Sequence, residues 1–242
     1  MTGRDVEIGG RTCAVCRDGP PRVLLLQPVD RRELPAAEEL ARCVRQMTEA
    51  PFALCAFPVE DWSRDLSPWP APAVYGEEPF GGGAALTLAY VSDVLLPAAE
   101  GIWGPVKTVL GGYSLAGLFA LWCGYETDLF AAVAAASPSV WFDGWEEYAA
   151  GRPMGAQAVY LSLGDREEKT GRKRLARVGD CIRAQKDLLD AAGVPSELVW
   201  EPGSHFRNVR ERMARGFAWA AERVGGGPAR QEMGYGQGLC DL

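Results

Sequence analysis

Histidine is almost missing from this sequence: 242 residues contain one, His205. Basic surplus is missing too. The formal net charge is -7, which excludes the cationic stripe that nucleic-acid binding needs. It also disfavours a strongly anionic substrate, unless a local arginine cluster overrides the average. No run approaches the ~20 apolar residues of a membrane span. The opening Met1-Thr2-Gly3-Arg4-Asp5-Val6-Glu7 lacks an apolar signal core, so a cytoplasmic protein without membrane attachment is expected. The 7 cysteines are odd in number and fall mostly in apolar runs, as Cys55, Cys123 and Cys181 do. That suits buried, reduced thiols rather than a disulfide framework. Cys13-Ala14-Val15-Cys16 has no second cysteine pair to complete a zinc site and no helix start to suit a redox motif. Gly81-Gly82-Gly83 is followed by no lysine in the place a phosphate loop requires. No metal or organic cofactor is implied.

What is present is an alternation of short apolar runs with helical patterns, which predicts an α/β fold with a mostly parallel sheet and helices on both faces. Val6–Ile8 and Thr12–Cys16 flank Gly9-Gly10 and are expected to form an opening antiparallel hairpin. Strands are expected at Val23–Gln27, Phe52–Phe57, Val106–Gly111, Ala131–Ala136, Val159–Leu163 and Glu197–Glu201. Helical spacing marks Glu33–Glu49, Ala84–Leu96 (stopped by Pro97), Leu115–Tyr125, Leu175–Ala192 and Phe206–Val224. Between Glu60 and Gly83, proline density predicts irregular structure in a connection long enough to suggest function. Nothing marks a large cap domain. Residues 1–224 read as one domain and 225–242 as a glycine-rich, mobile tail.

The chemistry-bearing feature is Gly112-Tyr113-Ser114-Leu115-Ala116-Gly117, set between an apolar strand and a helix. A serine on so sharp a bend needs small residues two before and two after it, and Gly112 and Ala116 supply them. The helix start would aim backbone N–H groups at the serine, with Leu115 giving one oxyanion donor. A serine hydroxyl needs a base, and His205 is the one histidine available. It follows the last strand in Pro202-Gly203-Ser204-His205, where ligands gather at the carboxyl edge of such sheets. A carboxylate is expected from Gly164-Asp165-Arg166-Glu167-Glu168-Lys169. Turns of the form Gly-x-x-acid favour Glu167, with Asp165 and then Glu168 as alternatives. The bland readings are a capping serine, an idle histidine and a solvated charged loop.

Together Gly111–Gly117, Ala136-Ser137-Pro138-Ser139-Val140-Trp141 and Pro202–His205 resemble the putative-esterase branch of the α/β-hydrolase superfamily, which includes trilactone siderophore esterases and esterase D-like enzymes. The likeness spreads over about residues 50–224. It implies the α/β-hydrolase fold, Ser114 as nucleophile, His205 as base, and a second oxyanion N–H near Val59 or Glu60. The acid stays open. Arg64 could anchor a substrate carboxylate, and Trp62, Trp69 and Trp141 either wall the site or pack the proline-rich loop. The expected activity is hydrolysis of a small carboxylic ester through an acyl-enzyme. Acyl transfer or short-peptide cleavage by the same residues, and a non-catalytic binding protein of this fold, are the alternatives. Oligomeric state is not legible.

Overall fold

The computed structural model describes residues 2–17, 19–74 and 76–226. Strands β1 (Thr2–Ile8), β2 (Arg11–Arg17), β3 (Val23–Asp30), β4 (Phe52–Val59), β7 (Lys107–Tyr113), β8 (Ala132–Ala136), β9 (Val159–Gly164) and β10 (Ser196–Glu201) form one sheet. Their order is β1-β2-β4-β3-β7-β8-β9-β10. The expected hairpin is there: β1 and β2 are antiparallel about Gly9 and Gly10, both at positive φ. From β4 to β10 every pairing is parallel, the arrangement that crossover helices produce.

Those helices lie on both faces. Helix α1 (Ala37–Met47) and α9 (Val209–Gly225) cover one, and α3 (Ala84–Tyr90), α4 (Leu96–Trp103), α5 (Leu115–Glu126), α6 (Trp145–Ala150) and α8 (Val178–Ala191) the other. The inner strands β3, β4, β8 and β9 read as continuous apolar runs because each is buried twice, whereas the edge strands β1 and β10 are largely exposed. On β3, Leu24 and Leu26 join one core while Val23 and Leu25 join the other. Cys13 and Cys16 likewise fall into opposite cores. An odd offset on a strand sends two side chains to opposite faces, so this pair forms no shared thiol site.

Four local expectations are corrected. Pro97 does not end its helix: Ala84–Trp103 runs on through a wide turn at Val91–Leu95. A widened turn relieves the clash of a proline ring with the carbonyl four residues back. By length and composition this helix (mean hydropathy 1.3) could cross a membrane, although its buried face carries Tyr90, Val91, Leu95 and Ala99. Second, the stretch 60–83 contains a helical turn, α2 (Trp62–Asp65), and a ribbon of β5 (Pro70–Ala71) with β6 (Phe80–Gly81). Third, the helix expected over Leu175–Ala192 breaks between α7 (Lys173–Ala176) and α8. Gly225 and Gly226 close α9 and are not part of a tail; residues 227–242 lie outside the described residues.

Candidate active site

The order of the sheet fixes where a site can form. Chain progress reverses between β3 and β7, and in open α/β sheets ligands bind at the carboxyl ends flanking such a reversal. Ser114 stands there, between β7 and α5, at φ 59 and ψ -119. Only very close packing holds a non-glycine residue in that region. A Cβ on Gly112 would stand 2.2 Å from the Ala116 carbonyl oxygen, and one on Gly111 would stand 2.4 Å from the Phe217 ring. Strand and helix therefore approach as nearly as backbone permits. The N–H of Leu115, first in the helix, has no acceptor within the helix.

The turn after β10 carries His205 to the same point. Its Nε2 lies 3.1 Å from Ser114 Oγ, and its Nδ1 lies 2.6 Å from Glu167 Oε2. With the carboxylate accepting from Nδ1–H, Nε2 is free to accept from the hydroxyl. Of the three carboxylates left open, Glu167 meets the ring. Asp165 instead accepts from the Gly203 N–H at 2.7 Å, tying together the two loops, and Glu168 pairs with Arg183. The Glu167 side chain is 4% exposed. Burial pushes its carboxyl up, but the His205 hydrogen bond and charge, the Ser137 hydroxyl and the Gly164 N–H together hold it below its ordinary range.

Four groups that sequence reasoning missed build the support. Arg212, fully buried in α9, donates from Nη1 to Glu167 Oε1 (2.9 Å), Tyr113 OH (3.0 Å) and Ser137 Oγ (3.1 Å). Its Nη2 donates to the Pro202 and Ser204 carbonyls, each at 3.2 Å. One guanidinium thus holds the carboxylate and the histidine turn together. Tyr113 donates to the His205 carbonyl at 2.7 Å, and Ser137 donates to Glu167 Oε1 at 2.7 Å. The fourth group is Phe206, 86% exposed and set edge-on to the imidazole. A signal for Arg212 existed: it heads the i, i+4, i+8 stripe Arg212–Gly216–Ala220 on the buried face of α9.

Two cavities open on this constellation. One, of about 490 Å³, runs along Gln27–Asp30, Leu40, Trp62 and Met213. The other, of about 560 Å³, runs along Trp141, Arg166, Thr170 and Arg172. Ser114, His205 and Phe206 line both. Trp141 is therefore at the site. Val59 is not: it lies buried in β4 paired with Asp30, and β3 stands between its strand and the serine strand. The Glu60 N–H is already taken by Asp65 Oδ2 at 3.0 Å. The backbone bordering the hydroxyl on that side belongs to the end of β3. Arg64 also lies off both cavities. It pairs with Asp65 and packs against Gly81. Trp69 donates to the Asp143 carbonyl and packs edge-on against Phe142 and tilted against Tyr148, which pins the proline-rich loop to the domain. Among the described residues no group of histidine, cysteine or carboxylate side chains could hold a metal ion.

The reversing parallel sheet, with a serine bend at its switch point, defines the α/β-hydrolase class. Within it the family is shown by sequence: the model of the family described as Putative esterase matches residues 19–208, and the chain belongs to that family, a family of ester hydrolases. No curated protein matches the sequence. Solved structures share the fold. The siderophore hydrolase EstA from Aspergillus nidulans superposes with a TM-score of 0.68 at 19% identity, over 92% of this chain and 94% of that one. An IroE-like serine hydrolase from Shewanella oneidensis gives 0.68 at 15%, over 93% and 79%. The enterobactin esterase FES from Shigella flexneri gives 0.67 at 18%, over 93% and 60%.

Proposed function

We propose that this esterase works through Ser114, His205 and Glu167 by way of an acyl-enzyme. Ser114 Oγ attacks the acyl carbon while His205 Nε2 takes its proton. The Leu115 N–H, with a second donor from the end of β3, binds the oxyanion; one such donor is worth about 10²–10³ in rate. Nε2 then hands the proton to the departing alkoxide. Water, activated by the same nitrogen, releases the acid and restores the serine. Glu167 keeps the ring in the productive tautomer and stabilises the imidazolium without taking its proton.

The observation that carries this reading is the unbroken line of contacts, 3.1 Å and then 2.6 Å, from hydroxyl to imidazole to carboxylate. The free state of the six described cysteines supports a reducing, cytoplasmic setting. A fluorophosphonate probe tests the assignment. Wild type is labelled and turns over short p-nitrophenyl esters; Ser114→Ala does neither. Equal labelling of the two would remove Ser114 from the mechanism.

A further inference from the structure

The cavity on the β3 side of Ser114 is bounded by β3, α1 and α9. Its floor belongs to the core: Val29, Ala37, Leu40 and Met213 are each buried. The charged side chains on this wall are engaged. Asp30 accepts from the Arg32 N–H, Glu33 reaches back to the Asp30 N–H, and Arg210 pairs with Glu39. The Tyr113 hydroxyl is held by the His205 carbonyl and by Arg212. A charged arm entering here would leave water for a largely apolar wall whose ions are already paired.

Gln27 breaks this pattern. It shares the face of β3 that carries Val23, Leu25 and Val29, and those three join the core beneath α1 and α9. Its side chain is half-buried, lines the cavity and makes no hydrogen bond with any described residue. The Trp62 N–H is also unpaired, but it belongs to α2, past the end of β4. A carboxamide carries both an acceptor and donors. Filling the cavity with plain hydrocarbon would strip these of water and return nothing. Leu26 pairs with Leu110, so the next residue, Gln27, stands level with Gly111, three residues short of Ser114. That puts the amide roughly 10 Å below the serine along the strand, several carbons into the cavity for an extended chain.

We propose that the acyl arm of the substrate runs along β3, is uncharged and mostly apolar, and carries one amide-like hydrogen-bonding group that Gln27 reads. This rests on the ester-hydrolase reading of the Ser114 site and adds its substrate class. The arm is the acyl one because the imidazole reaches Ser114 from the β9–β10 side, with Glu167 behind it, and hands its proton to the alcohol there. The group left on the carbonyl carbon then has the β3 side. The test uses two pairs of p-nitrophenyl esters. The 4-acetamidobutanoate is compared with the heptanoate, and the 6-acetamidohexanoate with the nonanoate. Within a pair the chains are equally long and uncharged, and only the amide differs; the two pairs carry it at two depths.

The amide-to-alkyl ratio of kcat/KM is about tenfold higher in wild type than in Gln27→Leu at one of the two depths, the factor that one hydrogen bond is worth. Gln27→Met, which keeps the length and loses the amide, gives the same fall. Wild type also prefers heptanoate to acetate severalfold, because the added methylenes are buried. Each amide-to-alkyl ratio is read within a single protein, so loss of active enzyme cancels. Ratios that agree within about twofold across the three proteins at both depths, or acetate turned over as fast as heptanoate, would overturn the proposal while leaving the esterase intact. If no ester is turned over and the fluorophosphonate fails to label, the underlying reading falls and the proposal with it.

Discussion

Arg212 gives the sharpest quantitative test of how this site is held. Replacing it with methionine keeps most of the buried volume and removes every donor. Five hydrogen bonds vanish, at 2.9, 3.0, 3.1, 3.2 and 3.2 Å. Glu167 is left as a buried anion without its cation, and the Pro202 and Ser204 carbonyls lose a donor. Removing one partner of a buried ion pair costs about 3–5 kcal/mol. Glu167 keeps the Ser137 hydroxyl and the Gly164 N–H, both at 2.7 Å. The lower end therefore applies, about 3 kcal/mol. For a domain of this size that lowers Tm by roughly 6–12 °C. The second consequence is catalytic. The histidine turn loses its hold at both carbonyls that precede His205, Pro202 and Ser204, and a displacement near 1 Å costs about 10² in rate. Thermal melts followed by circular dichroism, together with kcat/KM on a neutral p-nitrophenyl ester, read both effects. Arg212→Lys, with the charge but not the fork, falls between. If Arg212→Met melts within about 2 °C of wild type and keeps its rate, the guanidinium is not what unites carboxylate and histidine.

Gly112→Ala should fail to give a stable, labelled enzyme, because its Cβ would meet backbone atoms of Ala116 at 2.2–2.3 Å; soluble expression with a normal melt would contradict the packing. Glu167→Gln should reduce kcat by about 10³–10⁴ while keeping Ser114 in place, since the imidazole loses its orienting anion; a loss under tenfold would place the acid elsewhere. Because the Glu167 carboxyl is held below its ordinary range, its contribution to stability is complete above the unfolded value of ~4.3 and disappears as pH falls through the lower folded value. Melting temperature should therefore fall less steeply below about pH 4 in Glu167→Gln than in wild type; parallel curves would refute this.

Sequence alone determined the parts governed by local rules. Doubly buried parallel strands read as continuous apolar runs, so Val23–Gln27 and Val159–Leu163 were legible from composition, inside strands that run to Asp30 and Gly164. The serine bend was legible because a strained turn tolerates only small neighbours, at Gly112 and Ala116. Scarcity did the rest, since one histidine leaves one nitrogen base to consider. Tertiary structure decided what depends on which strands become neighbours. The strand order puts β3 beside the serine strand and β4 one place further out, so the border of the cavity belongs to Gln27–Asp30 rather than Val59. It chose Glu167 over Asp165 and Glu168, whose side chains leave the same short loop in different directions. It also turned Arg212 inward, because its cost of burial is met only when Glu167, Tyr113 and the Pro202 and Ser204 carbonyls, distant in sequence, converge on one guanidinium. A local pattern records what a residue can tolerate; which partners it meets is set by chain crossings that no local window contains.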